Sequence, residues 1–246
     1  MFETLSTIAL TVGASIVVAF LSHALARSPL GRLTVAGVLA AWFALVLAIG
    51  ASGALDPGRG VGVPGLGLTV ALPVAALTGA FFAIRPIRDA MLATPLPALV
   101  AINAIRVLGI IFVVLYAARE LPGPFAPSAG WGDIFVGLTA LPVAWAMLRF
   151  GPRVRPLVLL WNTIGIADLV SAVAVGALSA PSPLQVFAGP PTSAIMTTLP
   201  WLLIPGFLVP SLMFIHVVIF YRLAKTEALA PAQPWLGGGA RRSVSV

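Results

Sequence analysis

Apolar residues run through this chain in long blocks rich in Leu, Val, Ala, Ile and Phe, and polar positions collect in short stretches between them. Seven blocks are long enough to cross a bilayer, whose hydrocarbon core of about 30 Å takes about 20 helical residues. They cover roughly residues 5–26, 33–54, 65–85, 97–117, 131–149, 156–179 and 200–222. Inside hydrocarbon every backbone N–H and C=O needs a partner within the fold, which selects helices. The ten-residue alternation of a barrel strand is not visible. The pattern predicts an all-α, polytopic integral membrane protein: a seven-transmembrane-helix bundle over residues 1–226. A flexible C-terminal tail over 227–246 follows, with Pro231, Pro234 and Gly237-Gly238-Gly239.

Composition agrees. Of 246 residues, 60% are hydrophobic and 9% charged, with no cysteine and a mean hydropathy of +1.08. A soluble domain carries about 25% charged residues, so a soluble enzyme, a disordered chain and a disulfide scaffold are excluded. Without cysteine, thiol catalysis and thiolate metal sites are excluded too.

The net charge of +7 changes the picture only through its distribution. Arg27 and Arg32 follow the first block, Arg85 and Arg88 the third, and Arg149, Arg153 and Arg155 the fifth. Arg222, Lys225, Arg241 and Arg242 follow the seventh. These alternate segments hold 11 of the 14 basic residues, whereas the opposite side has Arg59 and Arg119. Basic residues concentrate in cytoplasmic loops. The N-terminus is therefore expected outside and the C-terminus in the cytoplasm, in a bacterial-type inner membrane. Ala24-Leu25-Ala26 resembles a signal-peptide cleavage site, but Met1-Phe2-Glu3-Thr4 has no basic residue, so the first block reads as an uncleaved helix. The partner this charge implies is a bilayer with anionic headgroups, at about 1 kcal/mol per surface Lys or Arg. Nucleic acid is not expected. Arg85-Pro86-Ile87-Arg88-Asp89 suits the membrane interface, ahead of the fourth block.

On the outer side, residues 179–198 form a long uncharged loop with Pro181, Pro183, Pro190 and Pro191. A lid over the helix ends, a segment dipping into the bilayer and a passive connector all remain open for it. Gly60-Val61-Gly62-Val63-Pro64-Gly65 spells the dinucleotide fingerprint, but it joins two membrane blocks rather than a strand and a helix, and is a coincidence. A retinal-type pigment would need a lysine inside the last helix, and Lys225 lies beyond it. Prolines 73, 142, 205 and 210 fall inside blocks and should distort them.

The informative polar residues are those inside the blocks. Asn103 and Arg106 are three apart and share a face, and the sixth block carries Asn162 and Asp168 with Gly165 between them, leaving room for close approach. At about 1.5 Å per residue, Arg106 lies roughly 13 Å from the inner boundary and Asp168 roughly 18 Å. A lone charge at that depth costs about 2.5–3.5 kcal/mol on insertion scales. Arg106 and Asp168 have opposite sign and are expected to pair, with Asn103 and Asn162 as hydrogen-bond partners. Asp133, counted as near the outer boundary, is expected to pair with Arg119. Two readings stay open: a structural pin between two helices, or a midplane ligand-binding site of Arg106, Asp168, Asn103, Asn162 and Asp133. In the second, Arg106 takes an anionic group and Asp168 holds the arginine or exchanges a proton.

His23 and His216 form a rival set. Both lie near the inner ends of their blocks, and two facing imidazoles can ligate a b-type haem. The sequence requires no cofactor. Its leading reading is binding or transport of a small solute. The alternatives are a haem-containing redox protein and a non-catalytic accessory subunit with a membrane-protein partner or a second copy. No nucleophile–base or metal cluster can be assembled, so an embedded enzyme is not favoured.

Overall fold

The computed structural model describes residues 1–58 and 60–225. Arg59, Arg241, Arg242 and the tail expected over 227–246 lie outside these residues. Among the described residues every regular element is helical. Six stretches are long and apolar enough to cross a membrane: Phe2–Leu25, Pro29–Ser52, Pro64–Ala83, Leu96–Ala117, Ala126–Leu178 and Ile204–Ala224. The fifth is 53 residues long and takes in two of the seven expected blocks.

Helix α1 (Phe2–Leu25) turns sharply into α2 (Pro29–Ser52). The Ser28 hydroxyl accepts the Gly31 N–H at 3.0 Å, and Pro29 sits where its missing N–H costs nothing. Gly53, at φ 67°, ends α2 in the left-handed region. Next come α3 (Gly62–Ala83), which accommodates Pro73, and the nine-residue α4 (Arg85–Ala93). Helix α4 is amphipathic, burying Ala90 and Met91 while Arg85 and Asp89 stay exposed. Thr94, ahead of Pro95, is extended, as residues preceding proline prefer.

The fourth stretch is not a uniform helix. It runs as α5 (Leu96–Ala101), tightens into a 3-10 segment over Ile102–Gly109, and relaxes into α6 (Ile110–Ala117). Helix α7 (Ala126–Phe150) begins five residues before the expected boundary, because Pro127 falls in its first turn, where proline is tolerated. Gly151, at φ 58°, and a 3-10 turn lead into α8 (Arg155–Leu178), which packs back along α7. The loop after α8 then folds over the end of that helix. The N–H groups of Val186 and Phe187 donate to Leu178 O at 2.9 and 3.1 Å, and the Ser193 hydroxyl donates to Gly176 O at 2.6 Å. The last stretch starts at Ile204 rather than 200, with a π-helical turn (Ile204–Leu208) around Pro205 ahead of α9 (Val209–Ala224).

Helix α9 is the centre of the bundle. Most of its residues are buried, whereas α2 buries only Leu39 and Val46. Phe207 packs on Trp42 and Phe43, and Phe81 packs on Phe214 and Tyr221. Three arginines gather at one end of the bundle. Arg27 donates to Asp89 O at 2.9 Å, Arg155 to Leu223 O at 2.8 Å, and Arg222 to Thr94 O.

Candidate functional site

A 3-10 helix has three residues per turn, so positions three apart stand in one row. In the segment 102–109 that row is Asn103, Arg106 and Gly109, the segment's three buried residues. It faces α7 at close range. A Cβ on Gly137 would collide with the backbone of Arg106 and Val107, and one on Gly109 with the side chain of Asp133. Eight residues is long for a 3-10 run, and such stretches mark strained or functional places in helices.

Arg106 is 2% exposed, in the middle of the stretch Leu96–Ala117, and its guanidinium joins three neighbouring helices. Nε donates to Asp133 Oδ1 of α7 at 2.7 Å. NH2 donates to Asp168 Oδ2 of α8, and NH1 donates to Gly165 O of α8 at 2.9 Å. The same NH1 lies 3.1 Å from His216 Nε2 of α9. Four of the five guanidinium N–H groups are thereby spent on protein acceptors. Guanidinium only donates, so Nε2 accepts and the imidazole proton sits on Nδ1. That nitrogen donates to Asn162 Oδ1 at 2.7 Å, and the Asn162 amide donates back to His216 O at 3.1 Å. Trp161, on the same turn of α8, lies 5.7 Å from the imidazole, ring to ring, and donates to the Thr139 hydroxyl at 2.9 Å.

Glycine makes this density possible. A Cβ on Gly132 would overlap the Asp168 carboxylate, and one on Gly165 would overlap the His216 ring and crowd Arg106 NH1. Alanine at either position displaces the centre.

The pairing of Arg106 with Asp168 is as expected from the sequence; several other contacts are not. Asp133 pairs with Arg106, not Arg119, because α7 starts early and carries Asp133 about two turns into the helix. Asn103 turns away from Arg106, and its amide donates to Leu99 O (2.9 Å) and Val100 O on its own helix. Asn162 bonds His216 in place of Arg106. The paired-histidine arrangement is not formed. Both ring nitrogens of His216 are engaged in the centre, whereas exposed His23 donates to Ala19 O on α1 at 2.9 Å. Sequence reasoning missed Gly132 and the Gly165 carbonyl as members of this site. Among the described residues no three His, Asp or Glu side chains are arranged to hold a metal ion; the guanidinium takes the cation's place.

One hollow abuts the centre and a second adjoins that hollow. The first is lined by Arg106 and Asp133 together with Leu10, Phe112, Leu169 and Leu212. The other, of about 60 Å³ and almost wholly apolar, lies between Leu66, Phe125, Ala172, Gly176 and Met196. They share Phe112, Ile204 and Val209. The Asp133 and Asp168 side chains are each 12% exposed while that of Arg106 is 1% exposed. The accessible polar face is therefore carboxylate.

Residues 63–224, about two thirds of the chain, match the family described as Domain of unknown function (DUF8737), and the chain belongs to that family. Every residue of the centre lies within the match. No curated protein matches the chain, and no solved structure does.

Proposed function

We propose that this family member is a seven-span membrane protein that binds or carries a small solute at the Arg106 centre, with its N-terminus outside and its C-terminus in the cytoplasm of a bacterial-type inner membrane. The 53-residue stretch Ala126–Leu178 supports seven crossings, since it folds back at Gly151 into two helices of 25 and 24 residues. The arginine-rich end of the bundle is the cytoplasmic one by the distribution of basic residues. The single observation that carries the functional reading is a guanidinium and two carboxylates, buried at mid-bundle and bordered by a hollow. Ionisable groups at that depth mark ligand or ion sites.

The chemistry of the solute follows from which atoms are accessible. Arg106 is committed to the protein, so the anionic partner expected of it is replaced by a donor or cation at Asp133. One guanidinium between two carboxylates leaves one negative charge for a proton or a cationic group to balance. The apolar walls of the hollow that Asp133 lines, Leu10, Phe112, Leu169 and Leu212, suit a short aliphatic body. A short-chain primary alkylamine is thus the first probe, and the matching alkyl carboxylate its control.

Thermal unfolding of the purified protein tests this. A ligand present at about 100 times its Kd adds about 2.7 kcal/mol to stability. The alkylamine should raise Tm in the wild-type protein and have no effect in Asp133→Asn or Asp168→Asn that still folds. Stabilisation by neither probe, or stabilisation that persists unchanged in both variants, overturns the reading and leaves the centre as a structural pin.

A further inference from the structure

We propose that the cleft between α1, α2 and α4 is a site for one anionic phospholipid, distinct from the Arg106 centre and resting only on the reading that the chain spans a membrane. The cleft is open and holds about 510 Å³ along α1 and α2. Its walls are small or apolar: Ala14, Val18 and Ala19 face Ala36, Ala40 and Phe43. From Ala14 to His23 it runs roughly 13 Å along the helix, most of one leaflet's depth of about 15 Å. At the basic end it meets a second hollow lined by Arg27, Ala90, Ala93 and Thr94, and His23 and Arg32 line both.

This mouth lies at the headgroup level. One wall is α4, whose amphipathic pattern, with exposed Arg85 and Asp89, belongs at a lipid–water boundary. The two arginines there are held and available. Arg27 is anchored by one hydrogen bond to Asp89 O and Arg32 by one from Nε to Ala26 O at 3.2 Å. No described carboxylate forms an ion pair with either. Asp89, the nearest acid, offers its main-chain oxygen rather than a salt bridge. Two guanidinium forks fixed at the lip of an apolar cleft fit a phosphodiester headgroup with an acyl chain below it. Guanidinium recognises phosphate oxygens bidentately, and basic pockets between membrane helices take anionic headgroups.

The test is native mass spectrometry of the full chain in mild detergent, titrated with phosphatidylglycerol, phosphatidylcholine or inorganic phosphate. One phosphatidylglycerol should bind with at least a ten-fold preference over phosphatidylcholine, and millimolar phosphate should not displace it. Arg27→Gln with Arg32→Gln should lower retention at least ten-fold. Ala36→Leu, which fills the cleft and keeps both charges, should lower it several-fold. Equal binding of phosphatidylcholine, unchanged retention in the double variant, or displacement by phosphate alone each overturns the site. Alkylamine stabilisation in the same double variant reports on the Arg106 centre separately, so failure of one reading is distinguishable from failure of the other.

Discussion

The arginines of this protein sit in two kinds of place, and the difference lies in their partners. At mid-bundle Arg106 is matched by two carboxylates, a carbonyl and an imidazole from three other segments. At the basic end Arg27 and Arg155 bond main-chain oxygens, of Asp89 in α4 and Leu223 in α9. The contrast follows from depth. A guanidinium in hydrocarbon must bring its counter-charge with it, because the uncompensated ion costs several kcal/mol. At an interface water and headgroups do that work, and the side chain needs only to be positioned. The same residue type is therefore a keystone in one region and a tether in the other.

The largest effect should come from removing the keystone. Arg106→Met leaves Asp133 and Asp168 buried beside each other without their cation, and breaking a buried pair in this way costs about 3–5 kcal/mol. Loss of most folded protein after extraction, read by size-exclusion and thermal unfolding, is the expected result. Arg27→Met is the counterpart at the basic end and should cost less than about 1 kcal/mol, since exposed charges contribute little. If the two variants were equally stable, depth would not be what separates the two regions.

A second effect probes the geometry rather than the charge. Gly165→Leu keeps every ionisable group but drives a side chain into the His216 ring and toward Arg106 NH1. Overpacking of this kind costs about 1–3 kcal/mol. Gly37→Leu on α2, where a Cβ meets nothing within 4 Å, should leave Tm unchanged. A Gly165→Leu protein as stable as wild type would mean that the four segments are not held in this register.

How much of this was legible beforehand depends on depth as well. The apolar stretches stand out because twenty residues without a charge are unmistakable, and Arg106 and Asp168 stand out because each interrupts one. The place of Asp133 was hidden by a boundary error. Pro122, Pro124 and Pro127 read as loop, yet Pro127 lies in the first turn of α7, which moves Asp133 inward to Arg106. The roles of Asn162 and His216 depend on how α8 and α9 are rotated about their axes, and in stretches apolar on all sides no hydrophobic face records that rotation. The 3-10 winding of 102–109 likewise has no signature in composition, although it sets the row of Asn103, Arg106 and Gly109.

The two asparagines give the finest test, because both are fully buried in the middle of the bundle and only one belongs to the network. Asn162 exchanges two hydrogen bonds with His216, and its loss would leave Nδ1 of a buried imidazole without an acceptor. Asn103 donates to carbonyls of its own helix, and its Oδ1 has no partner among the protein atoms. A buried polar atom left unsatisfied is a cost, and replacing it with an apolar group of similar shape removes that cost. Asn103→Leu should therefore be neutral or stabilising, within about 1 kcal/mol, whereas Asn162→Leu should destabilise by about 1–2 kcal/mol, the range of interhelical hydrogen bonds in membranes. Unfolding of both variants under the same detergent conditions compares them directly. If Asn103→Leu were the more damaging, the polar centre would extend along the 3-10 row toward α5, and Arg106 would no longer mark its limit.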